Sequence, residues 1–303
     1  MKPHQVSQTA EYMAFFRASE SVRPPQRRMF VDSLAVQFIR PSLRIAVWLS
    51  KMPAIAKLVN WYADRRLPGA RTSAIARTRF IDDVLANVVE KGVGQVVILG
   101  AGFDCRAYRL RYLDRTTIFE VDHPVTLARK KAKLHEVLPK VPDNVRYVQI
   151  DFMEGRLSEE LLRGGFESSR RAVFLWEGVT NYLTAEAVDA VLRYVASCRP
   201  GSQIIFTYVH SGILDGSVRF DGGDRLLRDV ARLGERWTFG LSPDQLAEFL
   251  RGRGLCLDCD LSAREYRGRY FGGVAKGMKG YEFYHVAVAH LPTQEEARGS
   301  AES

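Results

Sequence analysis

From Gln95 onward the chain repeats one pattern: a short, nearly unbroken apolar run followed by a longer mixed stretch. Runs of this kind lie near 95–100, 116–121, 145–150, 171–176 and 202–208. Short apolar runs bounded by polar turns are the signature of strands buried on both faces. The intervals near 104–112, 124–137, 156–163 and 185–197 read as helices. Strands alternating with helices predict an α/β fold, a doubly wound, mostly parallel sheet clad on both faces.

Upstream the pattern differs. Residues 1–70 read as several helices separated by Pro24, Pro25, Pro41, Pro53 and Pro68, with no strand-like alternation. Residues 73–91 form a longer predicted helix, with Ile75, Phe80, Ile81, Val84, Leu85 and Val88 at helical spacing. Downstream, residues 211–236 are rich in Gly and charge and read as an insertion with a helix near 224–233. Ser242-Pro-Asp-Gln opens another helix, with Ser242 as cap, Pro243 in the first turn and Gln245 in the reciprocal capping place. Strands at 254–261 and 281–290 are expected to finish the sheet as an antiparallel hairpin, and 293–303 reads as a disordered polar tail.

The junction after the first strand carries the chemistry. Residues 96–106 read Val-Val-Ile-Leu-Gly-Ala-Gly-Phe-Asp-Cys-Arg. Gly100, Ala101 and Gly102 make a tight turn in which backbone approaches a ligand without interference from Cβ. About twenty residues later a second strand, Ile118-Phe-Glu-Val-Asp, ends in Asp122. A Gly-rich turn after one strand and an acid closing the next is how a doubly wound sheet holds an adenosine ribose. A nicotinamide dinucleotide wants a third glycine where Cys105 stands, and would bring its pyrophosphate against Asp104. S-adenosyl-L-methionine has no phosphate, and its methionyl end carries one ammonium and one carboxylate. The turn favours it.

Ligands of an open parallel sheet bind beyond the carboxyl ends of its strands. The second strand brings Glu120 and Asp122 to that edge, the third ends in Ile150-Asp151-Phe152 and the fourth in Trp176-Glu177-Gly178. Asp122 can accept both ribose hydroxyls, with His123 starting a helix beside it. Asp151 can accept from the adenine amino group while Phe152 covers the ring. Glu177 can receive the methionyl ammonium or face the substrate. Arg77 or Arg79, on the preceding helix, can pair with the methionyl carboxylate. Any one of these acids is equally well explained as a helix cap; the argument rests on their convergence.

Composition excludes more than it assigns. With 46% hydrophobic and 26% charged residues among 303, the chain is of ordinary globular type. Its net charge of +9 comes from scattered basic residues without interleaved aromatics, so no nucleic-acid partner is expected. Residues 43–59 are interrupted by Arg44, Lys51, Pro53 and Lys57, so no membrane association is expected, and the polar Met1–Ala10 does not read as a signal peptide. Four cysteines fit a reduced, cytoplasmic setting. Cys256 and Cys259 form a C-x-x-C with no neighbouring ligand pair, so no metal is expected.

Four segments carry a family resemblance: Ala76-Arg-Thr-Arg-Phe-Ile-Asp-Asp, Leu99-Gly-Ala-Gly-Phe-Asp-Cys-Arg-Ala-Tyr-Arg-Leu, Phe119-Glu-Val-Asp-His-Pro and Trp176-Glu-Gly-Val-Thr-Asn-Tyr-Leu. Together they resemble the leucine carboxyl methyltransferase-like family, whose bacterial branch holds many S-adenosylmethionine-dependent O-methyltransferases. The resemblance runs from about residue 70 to about 210 and more loosely beyond. It implies that Arg77 holds the cofactor carboxylate and the turn at Gly100 the methionyl backbone atoms. It further implies Asp122 at the ribose, Asp151 and Phe152 at the adenine, and Glu177 at the amino end. Tyr182 matches a tyrosine that faces the reacting centre, and Cys105 stands where threonine is usual.

The layout expected is a helical N-terminal lid over 1–70 and a cofactor-binding domain over 71–292 with a lid insertion near 211–236. The reaction expected is methyl transfer to a carboxyl or hydroxyl oxygen of a small molecule, an in-line displacement in which the protein chiefly positions the reactants. A carboxylate acceptor needs only an orienting Arg or Tyr, whereas a hydroxyl acceptor wants a general base. His210, just past the fifth strand, is the candidate base, with a lid or packing role as its alternative. Tyr12, Phe15 and Phe16 either close over the substrate or form a plain apolar helix face. Three other readings stay open: a nicotinamide-dependent oxidoreductase, a protein C-terminal carboxyl methyltransferase like the family's eukaryotic namesake, and a binding protein without turnover.

Overall fold

A computed structural model describes residues 8–152, 156–293 and 295–296. Seven strands form one sheet: β1 (Gln95–Leu99), β2 (Thr117–Asp122), β3 (Val145–Gln149), β4 (Ala172–Trp176), β5 (Gln203–Val209), β6 (Cys256–Ser262) and β7 (Tyr284–His290). Their order is β3-β2-β1-β4-β5-β7-β6. The first five run parallel, and β7 lies antiparallel between β5 and β6. The winding reverses between β1 and β4, so the crevice beyond their carboxyl ends is where such a sheet receives a ligand.

Period-two alternation decides which residues face which layer. Val96 and Ile98 of β1, Val173 and Leu175 of β4, and Ile205 of β5 enter one core. Val97 and Leu99, Phe174 and Trp176, and Ile204 and Phe206 enter the other. Because both faces are covered, these strands are apolar throughout.

The helices preceding the sheet are α1 (Gln8–Ser21), α2 (Pro41–Leu49), α3 (Pro53–Arg66) and α4 (Ala70–Glu90). Between strands lie α5 (Arg106–Arg109), α6 (Pro124–Val137), α7 (Leu157–Arg163) and α8 (Ala185–Ala196). After β5 come α9 (Gly212–Asp215), α10 (Gly223–Arg232), α11 (Pro243–Arg251) and α12 (Ala263–Phe271). α1, α4 and α12 cover the first core; α7, α8 and α11 cover the second.

Several expectations are corrected. β6 and β7 pair, but the whole of α12 stands between them, so they do not form a simple hairpin. Ser262 and Glu265 cap that helix reciprocally. At α11 the Ser242 side chain makes no capping bond, and Pro243 at the first turn sets the start. The helix expected over 104–112 shrinks to α5, because Leu110 adopts extended backbone before a 3-10 turn at Arg111–Leu113. Phe15 and Phe16 are buried in the core, 6% and 1% exposed, so they pack the sheet layer. Most of the expected polar tail lies outside the described residues. No helix among the described residues is long and apolar enough to cross a membrane.

Candidate active site

β1 runs directly into the glycine turn. Gly100 has φ +68°, and a Cβ there would meet Val179 Cγ2 at 2.3 Å, so only glycine fits. The Gly100 and Ala101 amides both donate to the Val121 carbonyl, at 2.8 and 3.0 Å, tying the turn to β2. Below the turn, Lys130 donates to Glu120 at 2.8 Å and to the Ala101 carbonyl at 3.2 Å, both side chains fully buried. Glu120 is therefore a structural anchor beneath the site.

Asp122 closes β2. One of its oxygens accepts from the Gly102 amide and the other from the His123 amide, both at 2.6 Å. Burial pushes its carboxyl up, and those two amides oppose the shift. His123 caps α6, its Nδ1 accepting from the Val125 amide at 3.3 Å.

β4 delivers Glu177 to the other side of the crevice. Arg77 of α4 donates through Nε to Glu177 Oε1 at 2.7 Å, and Arg106 through Nη1 to Oε2 at 2.8 Å. Burial alone would raise the Glu177 carboxyl; Arg106 and then Arg77 overcome it and hold the group at about 2. The Arg77 guanidinium also lies 4.7 Å from the centre of the Tyr284 ring. Arg106 binds Asp82 at 2.7 Å and pairs with Asp104, and Arg109 chelates Asp82 with bonds of 2.8 and 2.7 Å. Arg17, from α1, bonds Asp32 at 2.9 Å and the Phe103 carbonyl at 2.6 Å. Four guanidiniums thus meet four carboxylates, a dense network whose charges cancel.

These groups border a cavity that is partly open to solvent. Its floor is the turn from Leu99 to Asp104; its walls are Arg77 and Glu177 through Tyr182. Thr9, Met13 and Arg17 of α1 roof it, and Trp237, Tyr281 and Tyr284 close the far end. Of the residues singled out in the sequence, Arg77, Gly100, Ala101, Gly102, Glu177 and Tyr182 converge here. Asp122 sits one layer behind, its Oδ2 4.0 Å from where a Gly102 Cβ would be. Asp151 is exposed and Phe152 packs on the second core; neither lines the cavity, and residues 153–155 next to them are outside the described residues. His210 is also absent from the wall. Its Nδ1 accepts from the Gly212 amide at 3.0 Å and its ring lies 5.3 Å from Phe220, while burial lowers its pKa.

Sequence reasoning missed Arg17, Arg106, Trp237, Tyr281 and Tyr284. Arg106 stood inside the glycine-turn motif and could have been found there. The others had no local signal.

The donor set fits S-adenosyl-L-methionine. A guanidinium and a carboxylate beside a side-chain-free turn match the carboxylate and ammonium of an amino acid, and the acids nearby disfavour a pyrophosphate. The fold is the Rossmann-like fold of class I methyltransferases. The chain belongs to the leucine carboxyl methyltransferase family, whose model matches residues 10–196, and members of that family are S-adenosyl-L-methionine-dependent methyltransferases. It is 27% identical over 235 residues to "Putative S-adenosyl-L-methionine-dependent methyltransferase YktD" of Bacillus subtilis (strain 168), covering 77% of this chain and 76% of that protein. It is 35% identical over 207 residues to a protein of the same description from Parafrankia sp. (strain EAN1pec), covering 66% of this chain and 62% of that one. In fold it resembles the crystal structure of a "putative methyltransferase" from Thermobifida fusca YX, with TM-score 0.58, 16% identity and coverage of 92% and 94%.

Proposed function

We propose that this chain transfers a methyl group from S-adenosyl-L-methionine to a carboxyl or hydroxyl oxygen of a small molecule, in the cytoplasm. The observation that carries the reading is the Arg77–Glu177 pair, 2.7 Å apart, facing the Gly100–Gly102 turn inside one roofed cavity. When bound, the cofactor supplies an activated methyl carbon. Arg77 would hold its carboxylate, Glu177 its ammonium and Asp122 its ribose. Glu177 is ionised throughout the physiological range, as that role requires. Tyr182 has its pKa raised to about 12, mainly by burial, so it is a neutral hydrogen-bonding group that orients the acceptor rather than a base. α1 and the segment ending at Trp237 exclude water from the reacting end. His210 is assigned a packing role against Phe220.

Calorimetry tests the assignment. S-adenosyl-L-methionine and S-adenosylhomocysteine should bind with micromolar affinity and NADH should not; the opposite ranking would reject it. Transfer of a labelled methyl group across a panel of carboxylic acids, phenols and alcohols then reads the acceptor.

A further inference from the structure

Four charged residues line the cavity, Arg17, Arg77, Asp104 and Glu177, and each is already matched by protein. Arg17 meets Asp32 at 2.9 Å, Arg77 meets Glu177 at 2.7 Å, and Asp104 and Glu177 both meet Arg106. The far end is uncharged and largely aromatic, formed by Tyr182, Trp237, Tyr281 and Tyr284. A carboxylate entering that end would lose its hydration and gain no unmatched cation. A flat ring would gain stacking surface.

A hydroxyl acceptor has a different need, because its proton must leave. Directly behind the wall stands Glu235, 5% exposed, with no cation paired to it among the described residues. Its Oε2 accepts from the Thr9 hydroxyl at 2.5 Å and its Oε1 from the Gln8 amide at 2.9 Å. Thr9 itself lines the cavity beside Tyr182. With its proton directed at Glu235, the Thr9 oxygen keeps two lone pairs; the Tyr182 hydroxyl engages this oxygen, and one lone pair is left to receive a hydrogen bond from the cavity side.

Building on the methyltransferase reading, we propose that the acceptor is a flat, uncharged hydroxy-aromatic compound and that Glu235, acting through Thr9, takes its hydroxyl proton. The acceptor O–H bond breaks and its proton passes to Thr9 Oγ1. At the same time the Thr9 O–H bond breaks and that proton passes to Glu235 Oε2. The electron pair of the acceptor O–H bond stays on the acceptor oxygen, now an anion, and Glu235 becomes the neutral acid.

The test uses matched probes on the intact protein saturated with S-adenosylhomocysteine: 4-nitrophenol against 4-nitrobenzoate, and 2-naphthol against 2-naphthoate, by calorimetry. The hydroxyl member of each pair should bind at least about tenfold more tightly. Below the pKa of free 4-nitrophenol, binding should also raise the absorbance of its yellow anion. Glu235→Gln and Thr9→Val should bind S-adenosylhomocysteine normally and hold the phenol un-ionised, while Thr9→Ser restores the anion. Should Glu235→Gln fail to fold, the two Thr9 variants decide. Equal or tighter binding of the carboxylates, no binding of either hydroxyl probe, or an unchanged anion signal in the variants would overturn the proposal and leave the methyltransferase reading standing. Wild-type protein that does not bind S-adenosylhomocysteine would sink both.

Discussion

Arg106 shows how one side chain can hold a site together. It is 3% exposed and reaches Asp82, Asp104 and Glu177 at once. Removing one partner from a buried charge network strands the others, so Arg106→Ala should destabilise the protein by about 3–5 kcal/mol in urea unfolding. Glu177 supplies a pH test. Its folded pKa, about 2, lies below the ordinary carboxylate value of 4.5, so its contribution is full above 4.5 and is lost as pH falls toward 2. Glu177→Gln should therefore flatten the acid limb of a stability profile across that window; an unchanged limb would remove the ion pairs from the account. The ribose role proposed for Asp122, which stands just behind the cavity lining, is open to the same kind of test. Asp122→Asn should weaken S-adenosylhomocysteine by about tenfold or more in calorimetry, since charge-assisted hydrogen bonds are the stronger class.

At the level of elements, two serines make a matched pair. Ser262 accepts from the Glu265 amide and Glu265 reaches back to the Ser262 amide, so Ser262→Ala should cost about 1 kcal/mol. Ser242 has the same sequence context but no such bond, and Ser242→Ala should fall within about 0.5 kcal/mol of wild type. Denaturant midpoints of the two variants check the contrast. α12 was hidden in the sequence because the flanking runs at 254–261 and 281–290 read as a hairpin, although the Ser262-x-x-Glu265 capping signal was present. Once formed, α12 packs on α4 through Tyr266, whose hydroxyl lies 2.5 Å from Ser73 Oγ, and Tyr270, which donates to Asp83 at 2.8 Å. The strands were legible for the opposite reason: burial on both faces demands unbroken apolar runs whatever surrounds them.

For the whole molecule, the question is how a cavity at the sheet edge is shielded from water. α1 lies at the start of the chain yet roofs residues that follow β1 and β4, and Glu235 ties its first residues to the segment before α11. If this roof is a lid, S-adenosylhomocysteine should slow amide hydrogen exchange in Gln8–Ser21 and around Trp237 more than in α8 on the opposite face. Uniform slowing, or none in α1, would make it a fixed wall. The strand-end glycines and Glu177 could be read from sequence because a parallel sheet sends every strand's carboxyl end to one edge, whereas Arg77 and Tyr182 were singled out with the help of the family resemblance. That rule does not say which edge residues turn inward, and Asp151, Phe152 and His210 lie elsewhere than the cavity wall. By itself, then, the sequence determined the layers, the glycine turn and the acids at the strand ends, all of which follow from local periodicity and backbone sterics. The roof, the arginine network and the Thr9–Glu235 contact were decided by tertiary structure alone, since they join residues as much as 227 positions apart, a separation across which no local pattern reaches.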